Sequence, residues 1–328
     1  MLVVDGNLVY ELDVECARKK CMDLSSFPVY EPENTSPAEP AEAESAERYT
    51  GKGVCVAVLD TGIYPHKDFG NRIIAFVDMV RNRNGLYDDN GHGTHVTGIL
   101  GGDGRLSKGR FKGIAPDVQI AAIKVLDERG KGKLSYMLKG IQWILQNQSR
   151  FKIRIANISV GALAKDAQEN KMLMEAVLQM WNAGITVCIA AGNEGATAIT
   201  TPGISAAAIT VGTLDDEEMW DAAGKRYTNY SGRGPTEECI CKPEIVAPGT
   251  GIISTNCMMY PGSKPYSVKS GTSMSVPFVS GAIACLLEKY PDMTNTEIKL
   301  RLHERAQDLG LPYNHQGWGG LNMERLLQ

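Results

Sequence analysis

Six apolar runs recur between residues 53 and 249: GVCVAVLD (53–60), VQIAAIKVL (118–126), IRIANISVG (153–161), ITVCIAAGN (185–193), AAITVGT (207–213) and KPEIVAPG (242–249). Most close on Gly, Asp or Asn, and helix-like stretches separate them: GTHVTGILGG (93–102), SYMLKGIQWILQNQ (135–148) and KMLMEAVLQMWNAG (171–184). A strand that is apolar at nearly every position has both faces covered, which is the signature of a parallel sheet sandwiched by helices. The expected fold is therefore α/β in three layers (αβα) with a mainly parallel central sheet. In such sheets, sites form beyond the C-terminal ends of the strands. That rule directs attention to Asp60, Ser159, Gly161 and Asn193.

The ends of the chain read differently. Residues 31–48, EPENTSPAEPAEAESAER, are rich in Pro, Glu and Ala without large apolar side chains, the composition of a solvated linker. It divides a leader (1–30), too short to fold alone, from a main domain spanning 49–328. The leader contains NLVYELDVE, which reads as a single strand. The N-terminus lacks the basic start and apolar core of a secretory signal, and no apolar run approaches the roughly 20 residues that span a bilayer. A net charge of −4 without a basic stripe argues against nucleic acid. The expectation is a cytoplasmic protein with no membrane and no nucleic-acid partner.

The chain has eight cysteines. Cys55, Cys188 and Cys285 lie inside apolar runs and read as small core residues, so the thiols are expected to be reduced. Cys239 and Cys241 form a lone C-x-C without further ligands at metal spacing. No zinc site is expected there, while structural calcium elsewhere on the surface stays possible.

Four short segments could carry chemistry. Asp60 closes a strand in VAVLDTG, where Asp-Thr-Gly suits either a tight turn or a presented carboxylate. An aspartic-protease dyad needs two such triplets, and the chain has one. In NGHGTHVTG (90–98), His92 lies between glycines at a helix start, while His95 one turn on reads as a packed helix residue. Asn193 in AAGNEG follows a strand and reads as a turn residue or as an amide donor for a developing oxyanion. In SGTSMSVP (270–277), small residues surround Ser273 where a helix begins. Free N–H groups and the helix field favour an oxyanion there, and Pro277 is tolerated early in a helix. A serine hydroxyl is a poor nucleophile until a base takes its proton.

Taken together, DTG, HGTHVTG, AAGNEG and GTSMSVP in the order Asp, His, Ser resemble the subtilisin-like serine proteases, the subtilase family. ISVG, TPG, YSGRGP and KPEIVAPG are similar in register from about Thr50 onward, and YPHKDF and YDDNGHGTH are similar to an intracellular bacterial branch. The resemblance implies a catalytic triad of Asp60, His92 and Ser273, with Asn193 and the Ser273 N–H holding the oxyanion. It implies hydrolysis of protein or peptide substrates with no cofactor needed for catalysis. Substrate would pair with Gly130, Lys131 and Gly132 on one side and Ser159, Val160 and Gly161 on the other. Ala190, Gly192 and the region of Ala162 would line a primary pocket for large apolar side chains.

The departures from the family are local. Leu134 stands where many members have an aromatic and Ala162 where they have glycine; Glu194, near the primary pocket, reads either as a partner for a basic side chain or as a solvated rim charge. The family's calcium loop corresponds to GGDGRLSKGRF (101–111), which has one carboxylate, Asp103, so structural calcium is not expected there. The leader is shorter than the family's prodomain. It is expected to lie against or across the cleft, as an inhibitory or stabilising extension that is cut in the acidic linker. Two rivals remain: a catalytically silent member used as a binding module, and a nucleotide-binding fold. The second fails because GGDGRL follows a helix rather than a strand.

Overall fold

The computed structural model describes residues 1–30, 49–161, 166–195, 199–220, 224, 226–258 and 262–328. The linker 31–48 and Ala162 lie outside the described residues. Seven strands form one parallel sheet in the order β4-β5-β3-β6-β7-β8-β11. They are β3 (Cys55–Asp60), β4 (Ile73–Asp78), β5 (Gln119–Lys124), β6 (Ile153–Ile158), β7 (Thr186–Ala190), β8 (Ile209–Thr213) and β11 (Ile245–Ala247). Small antiparallel pairs are added by β1 (Leu2–Asp5) with β2 (Leu8–Glu11), β9 (Met219–Trp220) with β10 (Arg226–Tyr227), and β12 (Ile252–Thr255) with β13 (Tyr266–Lys269). The helices are α1 (Val14–Lys19), α2 (His92–Gly101), α3 (Leu134–Phe151), α4 (Ala167–Asn182), α5 (Thr272–Lys289), α6 (Asn295–Arg305), α7 (Tyr313–Gln316) and α8 (Met323–Leu327).

The three layers follow from the alternation of side chains along each strand. In β3, Val56 and Val58 enter the core beneath α2 and α5 with Val96, Leu100, Val276 and Val279. Cys55, Ala57 and Leu59 enter the opposite core beneath α3 and α4 with Ile141, Ile144, Val177 and Trp181. Every residue of β3 is buried, which is why the run GVCVAVLD has no polar face. The expected αβα architecture is the one found. Edge strand β4 is an addition to the six runs seen in the sequence. Its residues Ile73–Val77 are only partly buried, but IIAFVD has the same apolar form and the same closing aspartate as the others.

The chain reverses its direction of growth at β3. It passes first to β4 and β5 on one side, and then to β6, β7, β8 and β11 on the other. The C-terminal end of β3 is therefore flanked by the loops that follow β5 and β6, the location at which open parallel sheets place their ligands.

The leader is not where the sequence placed it. NLVYELDVE supplies one strand, β2, as expected, but it pairs with β1 in a hairpin that α1 follows. The Trp181 indole N–H and the Thr296 hydroxyl donate to Asn7 O at 2.8 Å each. Cys241 N donates to Glu11 O and Asp13 N to Cys239 O, both at 2.7 Å. Val3, Leu12 and Ala17 pack with Cys239 and Ile240. Trp181 ends α4 just ahead of β7, and Thr296 begins α6, so the leader covers the N-terminal ends of the strands. It does not cross the C-terminal ends. The expectation of reduced cysteines also fails at one pair, because Cys16 of α1 is disulfide-bonded to Cys239. Docking of α1 on residues 236–241 brings these two together, and a separation of 223 residues conceals the pairing from any local reading. Cys55, Cys188 and Cys285 are buried, as core residues should be.

Candidate active site

Asp60 ends β3, is 1% exposed, and uses Oδ1 to accept hydrogen bonds from the Thr61 N–H (2.7 Å) and from His92 Nδ1 (2.7 Å). An ionised carboxylate can only accept, so Nδ1 carries a proton and Nε2 is left as the basic nitrogen of a neutral ring. His92 opens α2 and keeps a quarter of its side chain exposed. Burial pushes its pKa down, but the charge and hydrogen bond of Asp60, aided by Asp88, outweigh burial. The pKa is thus raised above its ordinary value, even though Lys269 opposes the rise. Gly93 permits the close fit of α2 on β3, since a Cβ there would lie 2.3 Å from Gly62 O and 3.1 Å from the Asp60 Cβ.

Ser273 lies in the first turn of α5. Its hydroxyl donates to Ser159 O at 3.0 Å, and the Ser159 hydroxyl donates to Ser273 O at 3.1 Å, lacing the end of β6 to the start of α5. Among the described residues, no hydrogen bond joins Ser273 Oγ to His92 Nε2. The hydroxyl is turned to Ser159, and catalytic hydrogen bonds of this kind tighten when substrate binds. The helices that carry the two side chains nevertheless pack together. α2 packs on α5, and Lys269, four residues before Ser273, acts electrostatically on His92.

Asn193 follows β7. Its Oδ1 accepts from the Thr272 N–H (2.9 Å) and the Thr272 hydroxyl (3.0 Å). Those two donors fix the amide orientation and leave Nδ2 as the donor beside the start of α5. The Ser273 N–H, in the first helical turn, has no intrahelical partner. Two donors thus stand at one helix N-terminus, where the macrodipole favours negative charge. Gly271 is one of the small residues around Ser273. In the structure the space goes to Asn193, whose Nδ2 would lie 3.1 Å from a Cβ at Gly271, itself at φ 135°.

The candidate substrate segments flank the end of β3. Gly130 and Lys131 are exposed in the loop after β5, Gly132 bridges Leu126, and Leu134 begins α3. Ser159, Val160 and Gly161 follow β6, with Ser159 and Val160 buried and Gly161 exposed. Ala190 ends β7, buried, and Gly192 follows it. Glu194 is exposed. Thr200 was missed in the sequence. A Cβ at Gly161 or at Gly192 would come within 2.4 Å or 2.5 Å of the Thr200 hydroxyl, so this side chain fills the space between the two segments proposed as pocket walls. Its signal in the sequence was faint, because TTPG reads only as a turn.

His95 is a packed helix residue, as read. It is buried, its Nε2 donates to Ile252 O and Ser267 O at 3.1 Å each, and burial, reinforced by Lys269, pushes its pKa down to about 3. Among the described residues no group of three or more His, Cys, Asp or Glu side chains is placed to hold a metal ion.

A model of the subtilase family matches residues 51–319. The chain is 40% identical over 274 residues to serine protease AprX of Bacillus subtilis, covering 78% of this chain and 61% of AprX. It is 35% identical over 275 residues to subtilisin Savinase of Lederbergia lenta, covering 84% of this chain and 91% of that one. Among solved structures it resembles sphericase, with a TM-score of 0.70 and 30% identity over 83% of this chain and 91% of that chain. It also resembles a cold-adapted subtilisin-like serine proteinase, with a TM-score of 0.65 and 28% identity over 84% and 88%.

Proposed function

The chain belongs to the subtilase family, and from that premise we propose that it is a serine endopeptidase acting on protein or peptide substrates through Asp60, His92 and Ser273. The observation that carries the reading is the 2.7 Å hydrogen bond from His92 to a buried carboxylate, at the edge where α5 presents Ser273. The Ser273 hydroxyl swings from Ser159 O to His92 Nε2 and gives up its proton as Oγ bonds to the scissile carbonyl carbon. The new oxyanion is held by Asn193 Nδ2 and the Ser273 N–H. Collapse breaks the C–N bond, and the imidazolium passes its proton to the departing amine. Water, deprotonated by His92, then releases the acyl group. Asp60 orients the ring and stabilises its charged form. All proton and acyl transfers are made by side chains, so no cofactor takes part in this chemistry. Autoprocessing, on this reading, falls in the acidic segment 31–48.

The test is direct. A fluorophosphonate probe is expected to label the wild-type protein on the peptide containing Ser273, and the protein is expected to cleave casein. Labelling elsewhere, or an inert wild type, would move the reading to a silent binding module.

Substrate pairs with the segments 130–132 and 159–161, and its primary side chain enters between Gly161, Ala190 and Gly192. An apolar side chain is preferred there, but Thr200 limits its size. Thr200→Gly is expected to raise the kcat/KM ratio of Phe over Ala at the primary position by about 10-fold, the scale for a methylene or two in an apolar pocket. An unchanged ratio would place Thr200 outside the pocket.

A pH profile tests the role of His92. The neutral ring is the base, so kcat/KM rises with pH through the His92 pKa. The charged groups acting on it are Asp60 at the end of β3, Asp88 before α2 and Lys269 at the end of β13. Lys269 lowers the pKa, so Lys269→Ala is expected to move the acid limb to higher pH and reduce activity on its acid side. A limb that stays in place or moves the other way would remove His92 from the role of base.

A further inference from the structure

The helix that presents His92 begins on a residue that cannot cap it. Gly91 is at the N-cap position with φ 94° and has no side chain to offer. The first-turn N–H groups are satisfied from elsewhere. His92 N donates to Asn90 Oδ1 (3.1 Å), Gly93 N to Thr61 Oγ1 (2.9 Å) and Thr94 N to Asp88 Oδ2 (2.9 Å). Asp88, 2% exposed, also accepts from Gly91 N (2.8 Å), Asn90 N (3.1 Å), the Thr94 hydroxyl (2.6 Å) and the Thr61 hydroxyl (2.8 Å).

Thr61 joins these bonds to the catalytic carboxylate. It is the residue after Asp60, and its backbone N–H binds the same Asp60 oxygen that accepts from His92. Its hydroxyl accepts from the second residue of α2 and donates to Asp88. One side chain therefore ties the end of β3 to the start of α2, and Asp88 fixes that side chain and the first turn together. Burial alone would raise the Asp88 carboxyl, but hydrogen bonds from Thr94, Gly91 and Thr61 outweigh it and hold the group below the usual carboxylate range. An ionised, acceptor-only carboxylate is what this set of donors requires.

We propose that Thr61 and Asp88 form a positioning unit that sets the register between Asp60 and His92, and through it the aim of the imidazole at Ser273. The proposal rests on the serine endopeptidase reading. Asp88 is more than an ordinary helix cap, because a cap alone would not need the Thr61 hydroxyl between strand and helix.

The test compares Thr61→Val, which keeps the volume but loses the hydroxyl, with Thr61→Ser, which keeps the hydroxyl, and with Asp88→Asn. The readouts are kcat and KM on a peptide anilide, and the low-field proton NMR signal of His92 Nδ1–H. Melting temperature is compared in a Ser273→Ala background. Thr61→Val is expected to lower kcat about 10- to 100-fold, the scale of a misplacement near 1 Å, with KM nearly unchanged. Its low-field signal should shift or broaden, and Thr61→Ser should restore both. A wild type that neither hydrolyses peptide nor takes the probe at Ser273 would refute the peptidase reading itself. With an active wild type, the positioning unit is overturned by a wild-type kcat in Thr61→Val. It is also overturned if the low-field signal is unmoved while activity falls only in step with melting temperature, or if serine is no better than valine. Should Asp88→Asn not fold, the two Thr61 variants decide the matter.

Discussion

Ser273→Ala is expected to lower peptide turnover by on the order of a million-fold, a magnitude taken from subtilisin rather than derived from this structure. The direction follows from the site. Without Oγ there is no acyl-enzyme, and Asp60 and His92 keep their hydrogen bond with nothing to deprotonate. Asn193 and the Ser273 N–H remain, because the donors belong to a neighbouring side chain and to the backbone. The variant should therefore retain a residual rate of about 1,000- to 10,000-fold over water, from transition-state stabilisation alone. Folding should be nearly unaffected, since among the described residues the side chain makes one hydrogen bond, to Ser159 O. The check is single-turnover kinetics with a peptide anilide. A variant within 100-fold of wild type would mean that another nucleophile performs the reaction.

The largest expected effect on stability lies at the opposite end of the sheet. Lys242, Glu244 and Lys299 are buried at 0%, 1% and 0% exposure. Both ammoniums meet Glu244 Oε1, at 2.7 Å and 2.9 Å, while Oε2 accepts from Thr210 N at 2.8 Å. Carbonyls of Ser205, Ala206 and Ala208 and the Thr210 hydroxyl oxygen accept the remaining short ammonium contacts. Burial pushes Lys242 down to about 8 and lowers Lys299 as well, with the charge of Glu244 opposing the fall in each case. Glu244→Gln removes that charge while keeping the shape, and leaves two buried amines to lose their protons or to stay charged without a counterion. Breaking a buried pair in this way costs about 3–5 kcal/mol. The melting temperature should drop by roughly 5–15 °C, measured at a fixed scan rate in the Ser273→Ala background to suppress autolysis. A drop under about 2 °C would mean that the carbonyls alone hold the lysines.

These two sites differ in how far the sequence revealed them. Asp60, His92, Asn193 and Ser273 each occur where a strand ends or a helix begins, within a short segment whose glycines and small residues suit only a few backbone geometries. Local pattern marked them as candidates, the resemblance to the subtilases joined them into one site, and the parallel sheet followed from strands apolar on both faces. The burial of Lys242 and Lys299 was not legible, because the carboxylate they share, Glu244, is two residues from Lys242 but 55 from Lys299, and no local pattern joins the three. Thr200 reads as part of a turn, and its place between Gly161 and Gly192 depends on the segments after β6 and β7 converging. Asp88 and Thr61 were both inside quoted motifs, but a role that spans a strand and a helix cannot be seen in either motif alone. The pairing of β12 with β13 under α2 was missed for the same reason, although it supplies the carbonyls that hold His95.

The staple between Cys16 and Cys239 changes what a cut between Tyr30 and Tyr49 would accomplish. Residues 1–30 would stay joined to the main body through sulfur, as well as through the hairpin's contacts with Trp181, Thr296 and Cys241. Severing the peptide bond would then produce a two-chain molecule of nearly unchanged mass, separable only by reductant and denaturant together. In such a molecule, the N-terminal piece behaves as a permanent subunit of the folded domain rather than as a discarded escort.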